Sequence, residues 1–260
     1  MSKNQLAVIK DGLTRMMPEL ARVLPEHISP DKFVRTAETA LGLNPDLWMA
    51  DPKSVFAACM KCAQDGLYPD GKEAAMVVFN SKNSKTQEWE KKAQYMPMVG
   101  GLRKKLHESG HIASMSENVV YENDTFEYEL GDNERIIHKP TLKGRGEPIG
   151  VYAIVKTKDG AVYREIMGID EVEKIRSVSK GAEKGPWKDW WSEMAKKTVL
   201  RRIYKRLPSN PDVDKLLNSD NETYDIKPAA LEQSPTQLAL AEETVVEDPK
   251  KETEGDADGW

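Results

Sequence analysis

The sequence predicts an α+β protein, with helices flanking a central antiparallel sheet with hairpins, then a long basic C-terminal helix and a disordered acidic tail. Three observations predict it. Helical periodicity and capping signals fill residues 31–66 and return after 169. Between them lie short apolar runs that alternate or end in tight turns. Past residue 220 periodicity fades, while acids and recurrent prolines take over.

Each element follows from local chemistry. DKFVRTAETALGL (31–43) has the spacing of a short amphipathic helix. The next helix starts with Asp51 as N-cap and Pro52 at its first position, carries Val55, Phe56, Cys59 and Cys62, and ends at Gly66. AAMVVF (74–79) and QYMPMV (94–99) read as strands around a polar insertion, NSKNSKTQEWEKK, expected as a mobile hairpin tip or loop. A short helix is expected over 101–109, stopped by Gly110. VVY (119–121) and FEYEL (126–130) read as strands, the second with Phe126, Tyr128 and Leu130 on one face. IGVYAIVKT and AVYREIM form a hairpin through Lys158-Asp159-Gly160. Helices return at 169–178 and 187–207, with a shorter one near 211–218. The domain reading is an N-terminal arm over 1–30 offering an oligomer contact, a core over 31–219, and a disordered tail over 220–260.

Composition narrows the function. Hydrophobic content of 39% and charged content of 31% in 260 residues suit a globular protein with a polar surface. No stretch approaches about eighteen consecutive apolar residues, so no membrane span is expected. The start, MSKNQLAVIKDG, lacks an apolar signal region, and two cysteines give no disulfide framework. A cytoplasmic setting is therefore expected. The net charge of −5 hides an asymmetry. From Asp220 onward there are twelve Asp/Glu and three Lys/Arg, which leaves residues 1–219 with a surplus of about +4. A basic body with an acidic tail points to a polyanion partner.

Several motifs suggest chemistry that their context weakens. HESGH (His107 to His111) satisfies H-E-x-x-H, the spacing of a helical zinc site with a glutamate base, and supplies the alternative reading of a zinc-dependent hydrolase. Gly110 lies inside that motif, where it costs a helix about 1 kcal/mol, and Ser109-Gly110 reads as a helix end. Cys59-Met60-Lys61-Cys62 has C-x-x-C spacing, but sits in the small-residue run AACMKCA, where close helix packing is the expected role. Gly71-Lys72 continues with Glu73, so it is no P-loop. Asp170 and Glu171 start a helix, where acids suit the dipole. No cofactor is expected.

The basic segments remain. Arg103, Lys104 and Lys105 follow the double glycine, and Lys143 and Arg145 lie in the glycine-bearing loop KPTLKGRGEP. Lys180, Lys184 and Lys188 lead into PWKDWWSEMAKKTVLRRIYKRLP, which adds Lys196, Lys197, Arg201, Arg202, Lys205 and Arg206. Cations recurring on loops and helix ends can converge on a groove that follows a phosphate chain. At about 100° per residue, Trp187, Trp190, Trp191, Met194 and Thr198 form one stripe of the last long helix, and Arg201 and Lys205 continue it. At least two of the tryptophans are expected in the core, with one at the groove edge.

These residues resemble a known family. PWKDWWSEMAKKTVLRRIYKRLP is similar to the closing signature of the RecT family of phage-type single-strand annealing proteins. VFAACMKCAQDGLYPDGKEAAMVVF, QYMPMVGGLRKKLHESG, VVYENDTFEYELG, IIHKP, GVYAIVKTKDG and EVEKIRSVS resemble its earlier motifs, in order, over about residues 31–208. The resemblance implies ATP-independent binding of single-stranded DNA, assembly into rings or filaments, and annealing to a complementary strand. It implies single-stranded DNA and annealed duplex as ligands, a homo-oligomer, a partner exonuclease, and the host single-strand-binding protein as a further partner. It assigns HESGH to a helix-ending Ser-Gly. One departure is Val99-Gly100-Gly101, where the family often has Tyr-Lys-Gly or Tyr-Arg-Gly. The tail end, GDADGW, resembles the acidic, aromatic-ended tip of bacterial single-strand-binding proteins, and is expected to compete with DNA or to meet a partner.

Overall fold

The computed structural model describes residues 2–82, 87–179, 182–183 and 185–221. The chain divides into two units, Met1–Asp225 and Ile226–Trp260. The second unit lies outside the described residues, as does all of the expected disordered tail beyond residue 221.

The first unit is α+β, with helices around small antiparallel sheets. It opens with α1 (Ser2–Arg15), α2 (Met17–Val23), α3 (Pro30–Leu43) and α4 (Pro52–Gln64). Asp51 caps α4 by accepting from the backbone N–H groups of Lys53 at 3.3 Å and Ser54 at 3.2 Å. Such a cap contributes about 1 kcal/mol. α1 and α2 contribute to the main core. Ile9, Leu13 and Leu20 are as fully buried as Phe33 of α3 and Val55 of α4, and belong to the same cluster.

β1 (Ala74–Lys82) and β2 (Trp89–Pro97) pair antiparallel, Ala74 opposite Pro97 and Lys82 opposite Trp89. The strands thus claim both ends of the insertion expected as a loop. Ladder hydrogen bonds hold those positions, whose polar side chains gave no strand signal.

α5 (Val99–Glu108) explains the double glycine. A Cβ on Gly100 would lie 2.5 Å from the Lys72 carbonyl oxygen, and one on Gly101 2.2 Å from that of Glu73. Only bare backbone lets α5 lie this close to the turn before β1.

β3 (Ile112–Tyr121), β6 (Pro148–Thr157) and β7 (Val162–Gly168) form the central sheet in the order β3-β6-β7. β4 (Thr125–Glu129) and β5 (Arg135–Lys139) form a separate hairpin. β3 is longer than the expected VVY because Ser114 and Ser116 pair with β6 while staying exposed, and so leave no apolar trace.

α6 (Ile169–Ser177), α7 (Pro186–Asp189), α8 (Trp191–Tyr204) and α9 (Pro211–Asn221) complete the unit. The one helix expected over 187–207 is two, broken at Trp190 with φ −136° and ψ 45°. The break separates the tryptophans. Trp187 is buried and donates to Ser179 Oγ at 3.1 Å, while Trp191 donates to Glu173 Oε1 at 2.8 Å. Trp190 is 64% exposed. α8 packs against β3, β6, β7 and α5, burying Met194, Ala195, Val199, Leu200 and Ile203. Each larger side chain there contributes about 1.5–3 kcal/mol by leaving water.

Candidate nucleic-acid interface

The cations predicted from sequence surround α8, but they do not form one row. On α5, Arg103 pairs with the buried Glu117 of β3. Lys104 reaches Glu73 Oε2 at 2.9 Å and the Gly66 carbonyl at 3.0 Å, and its ammonium lies 5.6 Å from the centre of the Tyr68 ring. Lys105, largely buried, pairs with Glu108 at 3.0 Å.

The loop after β5 splits its two cations. Lys143 is exposed beside Leu142, itself 96% exposed. Arg145 turns inward. Its Nε donates to Asp124 Oδ1 at 3.0 Å, its Nη2 donates to Asp124 Oδ2 and to the Val119 carbonyl, and its guanidinium lies 4.1 Å over the Tyr121 ring. The Asp124 side chain is fully buried and also accepts from the backbone N–H groups of Thr141 at 2.8 Å and Tyr121 at 3.1 Å. His138 Nε2 stands 3.0 Å away, and its Nδ1 meets the Tyr152 hydroxyl at 3.2 Å. The Arg145 guanidinium above all, with these other donors, holds the Asp124 carboxyl well below the usual carboxylate range. Arg145, Lys196, Asn118, Tyr121 and Ser192 line a cleft of about 320 Å³ beside the start of α8.

α8 points its cations in three directions. Lys196 lines that cleft and pairs with Glu193 at 2.8 Å. Arg202 reaches Glu165 at 2.8 Å and also pairs with Glu171. Lys197 and Arg201, expected on a groove floor, instead meet a carboxylate of α9. Lys197 is 1% exposed and donates to Asp220 Oδ1 at 2.7 Å, while Arg201 pairs with Oδ2 of the same, fully buried Asp220. Burial pulls the Lys197 ammonium below its ordinary value, against the opposing pull of Asp220. The reason is positional. The side of α8 that carries Lys197 faces the end of α9, which the sequence alone does not place there.

Beyond α8, Arg206 donates to the Arg164 carbonyl at 2.7 Å, with Glu165 at 3.4 Å. Lys188 and Lys205 are exposed. Lys180 and Lys184 lie outside the described residues. Sequence reasoning missed Asp124, Glu117 and Asp220, the acids that organise these cations. Asp220 lies 23 residues from Lys197 and Asp124 lies 21 from Arg145, too far for any local pattern to join them.

The other motifs resolve locally. α5 ends at Glu108 and Gly110, at φ +81°, turns the chain, so His107 and His111 share no helical face. Cys59 and Cys62 are buried inside α4, where Cys62 Sγ donates to the Leu67 carbonyl at 2.8 Å. Burial pushes the Cys59 thiol up to about 12.

An α+β body with cations grouped round one sheet-covering helix has the form of a polyanion-binding protein. The chain belongs to the RecT family, whose model matches residues 31–233. It is 32% identical over 238 residues to Protein RecT of Escherichia coli strain K12, covering 91% of this chain and 86% of that one. Membership makes it a DNA-binding protein of recombination, of the kind that anneals single strands. Among the described residues no helix is long and apolar enough to cross a membrane.

Proposed function

We propose that this protein binds single-stranded DNA along its phosphates and anneals it to a complementary strand without ATP, acting as a homo-oligomeric ring or filament. The family match across residues 31–233 carries the reading, because it spans every element that bears the predicted cations before the tail. Annealing requires phosphates to be held while base edges stay available for pairing, which calls for cations rather than base-reading side chains. Lys143, Lys188 and Lys205 are exposed and within reach of a strand in solvent. Arg202 and Arg206, partly exposed, can exchange carboxylates for phosphates, since ion pairs open to water are worth at most about 1 kcal/mol.

One subunit meeting a few phosphates binds at roughly 10⁻⁴ to 10⁻⁶ M, so linked subunits are needed for avidity. The N-terminal helices are the proposed oligomer contact, with Val8 of α1 59% exposed beside buried Ile9. A partner exonuclease supplies single strands, and the acidic tail competes with DNA or meets a single-strand-binding protein. The test mixes purified protein with complementary labelled oligonucleotides lacking ATP, alongside electron microscopy. Accelerated annealing with rings or filaments is expected. Annealing no faster than the spontaneous rate overturns the reading.

A further inference from the structure

Asp220 sits in the last turn of α9, one residue before the helix ends at Asn221. An acid there opposes the helix dipole, whose C-terminal end is already negative. Its side chain is nonetheless fully buried, seated on the ammonium of Lys197 and the guanidinium of Arg201. These two cations offset what the helix end disfavours. The fully buried anchors of α9, Val213 and Leu216, lie at least one turn earlier, with Leu217 half-buried against the same core. The terminal turn can therefore lift while the rest of α9 stays docked.

The charges also match a substitution. A phosphodiester carries the same single negative charge as the carboxylate it would replace. Both anions offer paired oxygens, which suits the forked guanidinium of Arg201.

We propose that Asp220 occupies the place of a DNA phosphate, and that strand binding displaces it, unwinding the last turn of α9 and handing Lys197 and Arg201 to the backbone. This rests on the single-strand-binding function proposed above and adds to it an internal competitor. Binding then has a built-in threshold. An isolated small anion lacks neighbouring contacts to hold it in place of a tethered carboxylate, whereas a strand gripped at several points has them. α9 also becomes a reporter, since its end frays only when the strand is in place.

The test follows backbone hydrogen exchange in the full chain, with and without oligothymidylate at low salt. Residues 217–221 are expected to lose protection when the strand binds, while 211–216 keep theirs. In parallel, Asp220→Asn keeps the side chain's shape and removes its charge. If it folds, it is expected to bind the strand about tenfold more tightly, the scale of one charge-assisted contact. The exchange measurement on the wild-type chain stands whether or not that variant folds. Protection of 217–221 that stays constant or rises on binding overturns the proposal, as does a folded Asp220→Asn that binds no more tightly. A wild-type chain that binds no strand overturns the proposed function as well. Strand binding with α9 undisturbed overturns only the displacement.

Discussion

Asp124 shows how one buried carboxylate can organise a surface. It fixes Arg145 through two nitrogens, His138 through a third, and the turn at Thr141 through the backbone. Its ionised form is favoured in the fold, so it stabilises the native state above the unfolded carboxylate value near 4, and that contribution is lost as pH falls through and below it. Asp124→Asn is expected to cost about 1–3 kcal/mol at neutral pH, because the buried carboxylate's bonds are lost while Arg145, a third exposed, can turn to water. Urea titrations between about pH 6 and pH 3 should show the gap between wild type and variant narrowing as the carboxyl of the unfolded chain takes up its proton. Cysteine chemistry belongs to the same scale. With both thiols buried and Cys59 raised to about 12, neither should react with a thiol reagent in the folded protein, and both should react in denaturant.

At the scale of elements, α5 is set by backbone contact. Gly101→Ala would place a methyl 2.2 Å from the Glu73 carbonyl oxygen and 2.7 Å from Leu67 Cδ1, so the helix must shift. The expected loss is about 1–3 kcal/mol, read as a lower denaturation midpoint with unchanged slope. Gly100, one of the two residues that depart from the family pattern, is held just as closely, with a Cβ there falling 2.5 Å from the Lys72 carbonyl oxygen. Much at this scale was legible. The Asp51 cap, the Gly110 stop and the Lys158-Asp159-Gly160 hairpin each depend on neighbours within a few residues, and each appears where local chemistry put it. The polar half of β3 and the inserted ends of β1 and β2 were not legible, because ladder pairing rather than side-chain pattern makes them strand. The break at Trp190 escaped for a related reason. It serves Ser179 and Glu173, partners on other segments that periodicity cannot see.

The same division holds for the whole molecule. Which residues are cationic was plain from the sequence; which of them face solvent was not, because their acidic partners come from distant segments. The basic run alone suggested a groove for Lys197 and Arg201, and only the placement of α9 brings Asp220 onto both. The surplus of positive charge over residues 1–219 thus divides into cations that brace the fold and cations that meet water. Lys143, Lys188 and Lys205 belong to the second group by exposure. Their role in holding DNA should appear in the electrolyte dependence of binding, which counts phosphate contacts without regard to base sequence.

The most direct test is therefore a salt titration of affinity for a labelled single strand, comparing wild type with Lys143→Ala, Lys188→Ala and Lys205→Ala combined. Wild-type affinity should fall linearly on a log–log plot, and the triple variant should lose about two units of slope, near 0.7 for each phosphate contact. A folded variant with wild-type affinity and slope, or a wild type indifferent to salt, would contradict the account.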